Sequence, residues 1–148
     1  MAASVCNSMS GNWMPWFEAS RFPHVTRWLA WGKRLASNQG IQFPLIELHT
    51  DAAMLRQLVR YTAWMLDHRH HMEVTHLVAM CNYRANRLAC EAADRAMQTC
   101  GGIGYTRHMP FEHIYRHHRR YRSTEGSEEI QMRKVAGHLF GYMGAGKH

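Results

Sequence analysis

LIELHTDAAMLRQLVRYTAWML, residues 45–66, decides the fold class. Leu45, Leu48, Ala52, Leu55, Val59, Thr62 and Leu66 recur at alternating three- and four-residue steps, which lines them along one face of a long helix. Asn38 suits the cap of that helix, and Pro44 is tolerable only near its first turn. The polar run from Asp67 to His71 breaks the pattern, so the first helix spans roughly 38–67 and a second roughly 72–99. Ala85, Ala89, Ala92, Ala93 and Ala96 let the second helix approach the first closely, with Leu77, Cys81 and Leu88 filling the space between. Gly101, Gly102 and Gly104 stop it, as glycines at a helix end do by accepting left-handed geometry.

Downstream, Pro110 opens a short helix through Tyr115. Ser127 reads as the N-cap of a last helix, with Glu128 and Glu129 favouring the dipole in its first turn. Met132, Ala136, Leu139 and Met143 form its apolar stripe. Nothing reads as a β-strand. The expected fold is all-α, an antiparallel helical bundle built on two long helices. Residues 1–30 fit neither periodicity: Trp13, Trp16 and Trp28 are interrupted by Pro15 and Pro23. They read as an irregular leader or a remnant, residues 31–143 as the bundle, and residues 144–148 as a tail.

The chain has 148 residues, enough for one domain with a real core, and 46% of them are hydrophobic. Its formal net charge of +7 attracts anions, among them nucleic acid, anionic lipid and phosphorylated small molecules. Cys6, Cys81, Cys90 and Cys100 contain no C-x-x-C pair and read as buried thiols in a reducing compartment. No apolar run reaches the length of a membrane span and no secretory signal is evident, so a cytoplasmic protein is the default expectation.

Two stretches carry chemistry. Gln98-Thr99-Cys100-Gly101-Gly102-Ile103-Gly104-Tyr105 combines an amide donor and acceptor with glycines that permit close backbone approach to a pyrophosphate. From spacing alone, a plain glycine C-cap is the better reading. Thr124-Glu125-Gly126-Ser127-Glu128-Glu129-Ile130-Gln131 sets a carboxylate beside a glycine, just before a helix. To remove a carbon-bound proton, Glu125 needs burial that raises its pKa against the pull of the helix N-terminus. From residue type alone, a solvated carboxylate is favoured. The stretch from Arg107 to Arg122 interleaves five arginines with Tyr105, Phe111, Tyr115 and Tyr121. Without a nucleic-acid-binding module it reads as a solvated or intersubunit face with its own carboxylate partners. His113 and His117 have a chelating i, i+4 spacing, but no further ligand accompanies them, and no metal is expected.

In order and separation, the two stretches resemble the C-terminal domain of FAD-dependent acyl-CoA dehydrogenases. Trp31-Gly32-Lys33-Arg34-Leu35, followed by Gln39, Ile41 and Phe43, is similar to the family's F-G-K-x-L-x-x-x-Q-x-I-x-F pattern, with Trp31 in place of phenylalanine. The family's pyrophosphate-binding arginine, three residues before that aromatic, is Trp28 here, with Arg27 one residue out of register. Thr124 replaces a tyrosine common in the acyl pocket, and Glu129 a frequent glutamine.

The resemblance implies roles. Glu125 would be the catalytic base that abstracts the α-proton of an acyl-CoA thioester. Asn38, Gln39, Gln98, Gly101, Gly102, Ser127 and Glu129 would contact FAD, some of them across a subunit interface, and Thr124 and Gly126 would meet the substrate. The family's domain that holds the flavin ring has no counterpart in this chain. The resemblance therefore implies either a flavin-bearing partner chain or a homo-oligomer, and a chain inactive alone. The electron-transfer partner is not readable. The alternative is a non-catalytic helical subunit that completes a partner's flavin site.

Overall fold

Helix α1, Gln39–His68, and helix α2, His71–Cys100, each begin and end within one residue of the spans expected from periodicity. The computed structural model describes residues 27, 29–30, 32–124 and 126–142. The leader reading up to residue 26, Trp28, Trp31, Glu125, Met143 and the tail lie outside them. Asn38 caps α1 as expected, its Oδ1 accepting the Gly40 N–H at 2.8 Å. Pro44 sits in the second turn of α1 rather than the first. Its ring removes the amide that would bond the Gly40 carbonyl, but Gly40 is exposed and water can serve that carbonyl. Arg69 and His70 make the link to α2, which runs back antiparallel. The Arg69 N–H closes α1 on the Met65 carbonyl at 2.9 Å.

The interface between the long helices is built from the expected positions. Ala52 and Leu55 of α1 pack with Ala85 and Leu88 of α2, and Leu48, Leu58 and Val59 close around them. Thr62 is buried in the same face. Its hydroxyl donates to the Leu58 carbonyl at 2.7 Å and lies 3.3 Å from Cys81 Sγ, so it brings no unmet donor into the core. The alanines of α2 also serve its other sides, where helix α3, Phe111–Tyr121, and helix α4, Glu128–Leu139, pack. Among the described residues, α2 is thus the central element of a four-helix arrangement. None of these helices is long and apolar enough to cross a membrane.

Three local expectations are corrected. Strands β1, Leu29–Ala30, and β2, Lys33–Arg34, form a small antiparallel ladder across Gly32, whose φ is 78°. Two residues per strand are too few to show a period-two pattern. Helix α3 continues past Tyr115 to Tyr121, packed against α2 with Phe111 buried at its start. In α4 the proposed stripe faces outward: Met132 is 42% and Leu139 66% exposed. Gln131 and Gly137 are buried instead, and His138 stacks on His76 of α2 with ring centroids 3.5 Å apart. Side-chain pairs to α2, rather than the apolar pattern, set the rotation of this helix.

The glycines after α2 divide by physical cause. Gly101 has φ 64° and ψ −148°, a conformation that favours glycine and ends the helix. Gly104 is buried in the 3-10 turn Gly101–Tyr105, and a Cβ there would lie 2.8 Å from both Cys100 Cβ and the Met97 carbonyl oxygen. Backbone cannot retreat cheaply from such a contact. Gly104→Ala should destabilise the protein by about 2 kcal/mol, read as a lowered urea midpoint. An unchanged midpoint would mean that the turn is free to shift.

Candidate functional site

Because α1 and α2 are antiparallel, the start of α1 and the end of α2 share one end of the bundle. Asn38, Gln39, Gln98, Gly101 and Gly102 are all exposed there. Gly102 differs from its neighbours. Its φ is not positive, and a Cβ built on it meets nothing within 4 Å. The fold gives no reason for glycine at this position, whereas a ligand lying against the backbone would. Gln98 uses its carbonyl to accept the Gly101 N–H and leaves its side chain at the surface. Beside this end an open groove of about 700 Å³ runs between α2 and α3, lined in part by Met97, Tyr105, Tyr115, Arg119 and Arg120. The basic stretch has carboxylate partners of its own: Arg116 pairs with Glu112 at 3.1 Å, and Arg122 with Glu128 at 2.8 Å.

The second stretch is a closed loop. At its base, the Glu128 N–H donates to the Arg122 carbonyl at 3.1 Å. The Glu128 carboxylate is then gripped by two guanidinium forks. Arg122 Nε and Nη2 donate at 2.8 and 3.0 Å, and Arg87 Nε and Nη2 from α2 at 3.1 and 3.0 Å. These donors, Arg122 first, hold the Glu128 pKa down to about 2, and the carboxylate in turn raises that of both arginines. A carboxylate this stabilised as an anion is a poor proton acceptor.

Glu129 is exposed, and its pKa is lowered chiefly by a hydrogen bond from the Ser127 hydroxyl. Ser127 occupies the N-cap position as expected, but its side chain makes no capping bond. Thr124 is exposed, with its hydroxyl donating to the Arg120 carbonyl at 3.2 Å. Gly126 has φ 92°, and its carbonyl accepts from Gln131 Nε2 at 3.4 Å, so glycine is required there by the backbone. Glu125, the proposed base, lies outside the described residues.

The structure does not bring the two stretches to one point. Arg87 grips the loop, while Gly101 ends the same helix, and at 1.5 Å per residue the two lie roughly 20 Å apart. A ligand that touches both from one chain must be extended. Sequence reasoning missed Arg87 altogether. It lies forty-one positions from its partner Glu128, and nothing local marks it.

The histidines do not assemble a metal site among the described residues, where no group of three or more His, Cys, Asp or Glu side chains is placed to share an ion. His113 and His117 have ring centroids 6.1 Å apart. The pKa of His76 is lowered by burial and by the facing His138.

Comparison with known proteins agrees with the helical fold. A family model described as acyl-CoA dehydrogenase, C-terminal domain, matches residues 22–140. The chain is similar to a probable acyl-CoA dehydrogenase of Mycobacterium tuberculosis, 32% identical over 108 residues that make up 73% of this chain and 26% of that protein. It is also similar to the mitochondrial short-chain specific acyl-CoA dehydrogenase of Bos taurus, 36% identical over 110 residues, 74% of this chain and 26% of the other. Among solved structures, butyryl-CoA dehydrogenase from Megasphaera elsdenii superposes with a TM-score of 0.73 at 25% identity, covering 78% of this chain and 30% of that one. The chain spans about a quarter of the length of the curated relatives it matches.

Proposed function

The chain belongs to the acyl-CoA dehydrogenase family, as its C-terminal helical domain, and on that premise we propose that it supplies the base-bearing part of a flavin site that dehydrogenates acyl-CoA thioesters. Residues 31–143 are taken as the working unit. Glu125 removes the α-proton of the thioester, and the carboxylate holds that proton. FAD, when bound, supplies the acceptor for the β-hydrogen as hydride, which leaves an α,β-unsaturated product. Thr124 and Gly126 border the acyl group. Asn38, Gln39, Gln98, Gly101, Gly102 and Ser127 hold FAD. Glu129 carries a negative charge and suits a ribose hydroxyl rather than a phosphate. A flavin-bearing partner chain or further copies of this chain complete the site. Buried Cys90 and Cys100, both free thiols, suit a reducing, cytoplasmic setting.

The observation that carries this reading is Gly102, an open and exposed glycine that the fold itself does not need. Backbone bare of a Cβ at that point fits close approach of an adenosine diphosphate group. The clamped Glu128 and the exposed Glu129 give support by elimination, since both are held more acidic than an ordinary carboxylate and neither suits a general base.

Gly102→Ala tests the reading. In the complete assembly it should lower FAD affinity about tenfold or more, the size of one displaced close contact, with the urea midpoint unchanged. Equal FAD binding by the variant would remove the glycine end from the site. If an assembly binds FAD normally yet never reacts with any acyl-CoA, the chain is instead a non-catalytic subunit.

A further inference from the structure

Glu128 receives two guanidinium forks, and they serve different ends. Arg122 lies six residues upstream, and its fork, together with the Glu128 N–H on the Arg122 carbonyl, closes the loop 122–128 on itself. Arg87 comes from outside the loop, forty-one positions away on α2. Its neighbours Ala85, Leu88, Ala89 and Cys90 are buried, so the helix is fixed where Arg87 leaves it. The Arg87 guanidinium is itself held, with Cζ 5.7 Å from the centre of the Tyr83 ring and Nη2 3.8 Å from Met132 Sδ. Arg122 thus closes the loop, and Arg87 anchors the closed loop to the central helix.

That loop carries Glu125 at its middle position, three residues from either end. By chain length alone, the Glu125 Cα lies within about 11 Å of the Cα atoms of Arg122 and Glu128. Both sequence neighbours of Glu125 are tied down. The Thr124 N–H and hydroxyl donate to the Arg120 carbonyl at 3.0 and 3.2 Å, and the Gly126 carbonyl accepts from Gln131 Nε2 at 3.4 Å. On the reading of Glu125 as the base, on which this role rests, we propose that Arg87 is its positioning residue. Through Glu128, Arg87 fixes the loop on α2 and so the place from which the carboxylate takes its proton. Misplacing a reacting group by about 1 Å costs on the order of 100-fold in rate. The clamp also carries a surplus positive charge, two guanidinium groups against one carboxylate, and a cation at this range favours the ionised form of the base. Tyr83, Cys90 and Glu91 of α2, Arg119 of α3 and Glu129 of α4 also interact with the clamp, and all are kept in the variants that test it.

Those variants are Arg87→Met and Arg87→Lys, in both of which Glu128 keeps the Arg122 fork and the fold is retained. In the flavin-loaded assembly, Arg87→Met should slow flavin reduction by saturating acyl-CoA about 10–100-fold, with the half-saturating concentration unchanged. The acid limb of its pH profile should move up, since one cation is gone. Arg87→Lys keeps the cation but cannot form the fork, so the limb should return while the rate stays low. In the full chain alone, the carboxyl carbon resonance of Glu125, assigned by its loss in Glu125→Gln, should titrate at higher pH in Arg87→Met than in wild type or Arg87→Lys. Amide exchange at Ser123, Thr124, Gly126 and Ser127 should accelerate in both Arg87 variants. A wild-type rate in Arg87→Met would overturn the proposal even with a lowered urea midpoint, because Arg87 would then serve stability alone. So would a Glu125 resonance that titrates alike in all three chains. Failure of Glu125 as the base gives a different pattern: Glu125→Gln then reduces the flavin at the wild-type rate while loop exchange still responds to Arg87→Met, and the positioning role falls with its premise.

Discussion

Glu125→Gln, in an assembly that supplies the flavin, should slow reduction of that flavin by acyl-CoA about 10²–10⁴-fold while leaving FAD content unchanged. The amide keeps the outline of the carboxylate but cannot take a proton at working pH. Rescue by the neighbours is not expected. Glu128 is spent on Arg87 and Arg122 with its pKa near 2, and Glu129 is exposed and lowered by Ser127. Near-normal reduction in a stopped-flow experiment would mean that another group takes the proton. The double variant with Glu129→Gln would then show whether Glu129 does so.

Glu128→Ala should produce the larger loss of stability. The carboxylate is 11% exposed and receives four charge-assisted hydrogen bonds, and its removal leaves two guanidinium groups facing each other. Removing one partner of a buried ion pair costs about 3–5 kcal/mol. Arg87 and Arg122 keep 32% and 27% of their side-chain surface in water, which places the expected loss near the lower bound, about 3 kcal/mol. The same clamp predicts a pH dependence. The folded pKa of Glu128 lies below the ordinary value, so its contribution is fully present above about 4.5 and is lost as pH falls toward 2. His76 acts earlier in an acid titration. Its folded pKa lies below 6.5, so stability falls as pH drops below 6.5 and the unfolded chain takes up the proton first. Glu128 holds the start of α4 and the His76–His138 stack its end, so hydrogen exchange in α4 should accelerate through both windows. In Glu128→Ala only the upper window should remain.

The long helices were legible because burial on one face writes itself into a spacing of three and four residues. Leu45 to Leu66 shows that spacing without interruption, and both helix ends follow to within a residue. The last helix was not legible, for a complementary reason. Its rotation is set by Arg87 with Glu128 and by His76 with His138, polar and aromatic pairs that join distant positions. A hydrophobic pattern cannot report them, and Met132 and Leu139 consequently point outward.

The candidate site was legible as two stretches of sequence. Their resemblance to a family located them, and the geometry then sorted their residues. Gly101, Gly104 and Gly126 are needed by backbone conformation or packing, and Gly102 is not. Within the Glu-Gly-Ser-Glu-Glu run, Glu128 is a clamp rather than a candidate base, a distinction that becomes visible only with the two arginines in place.

Completion of a flavin site for acyl-CoA oxidation by this chain can be followed in the flavin itself. The most direct test is anaerobic: the wild-type chain is assembled with a flavin-domain-bearing chain and loaded with FAD, then mixed with straight-chain acyl-CoA thioesters of graded length while flavin absorbance is followed. At least one thioester should bleach the flavin and yield an enoyl-CoA product, and no bleaching should occur when this chain is left out. A fully loaded assembly whose flavin stays oxidised with every thioester, or one that bleaches equally well without this chain, would contradict it.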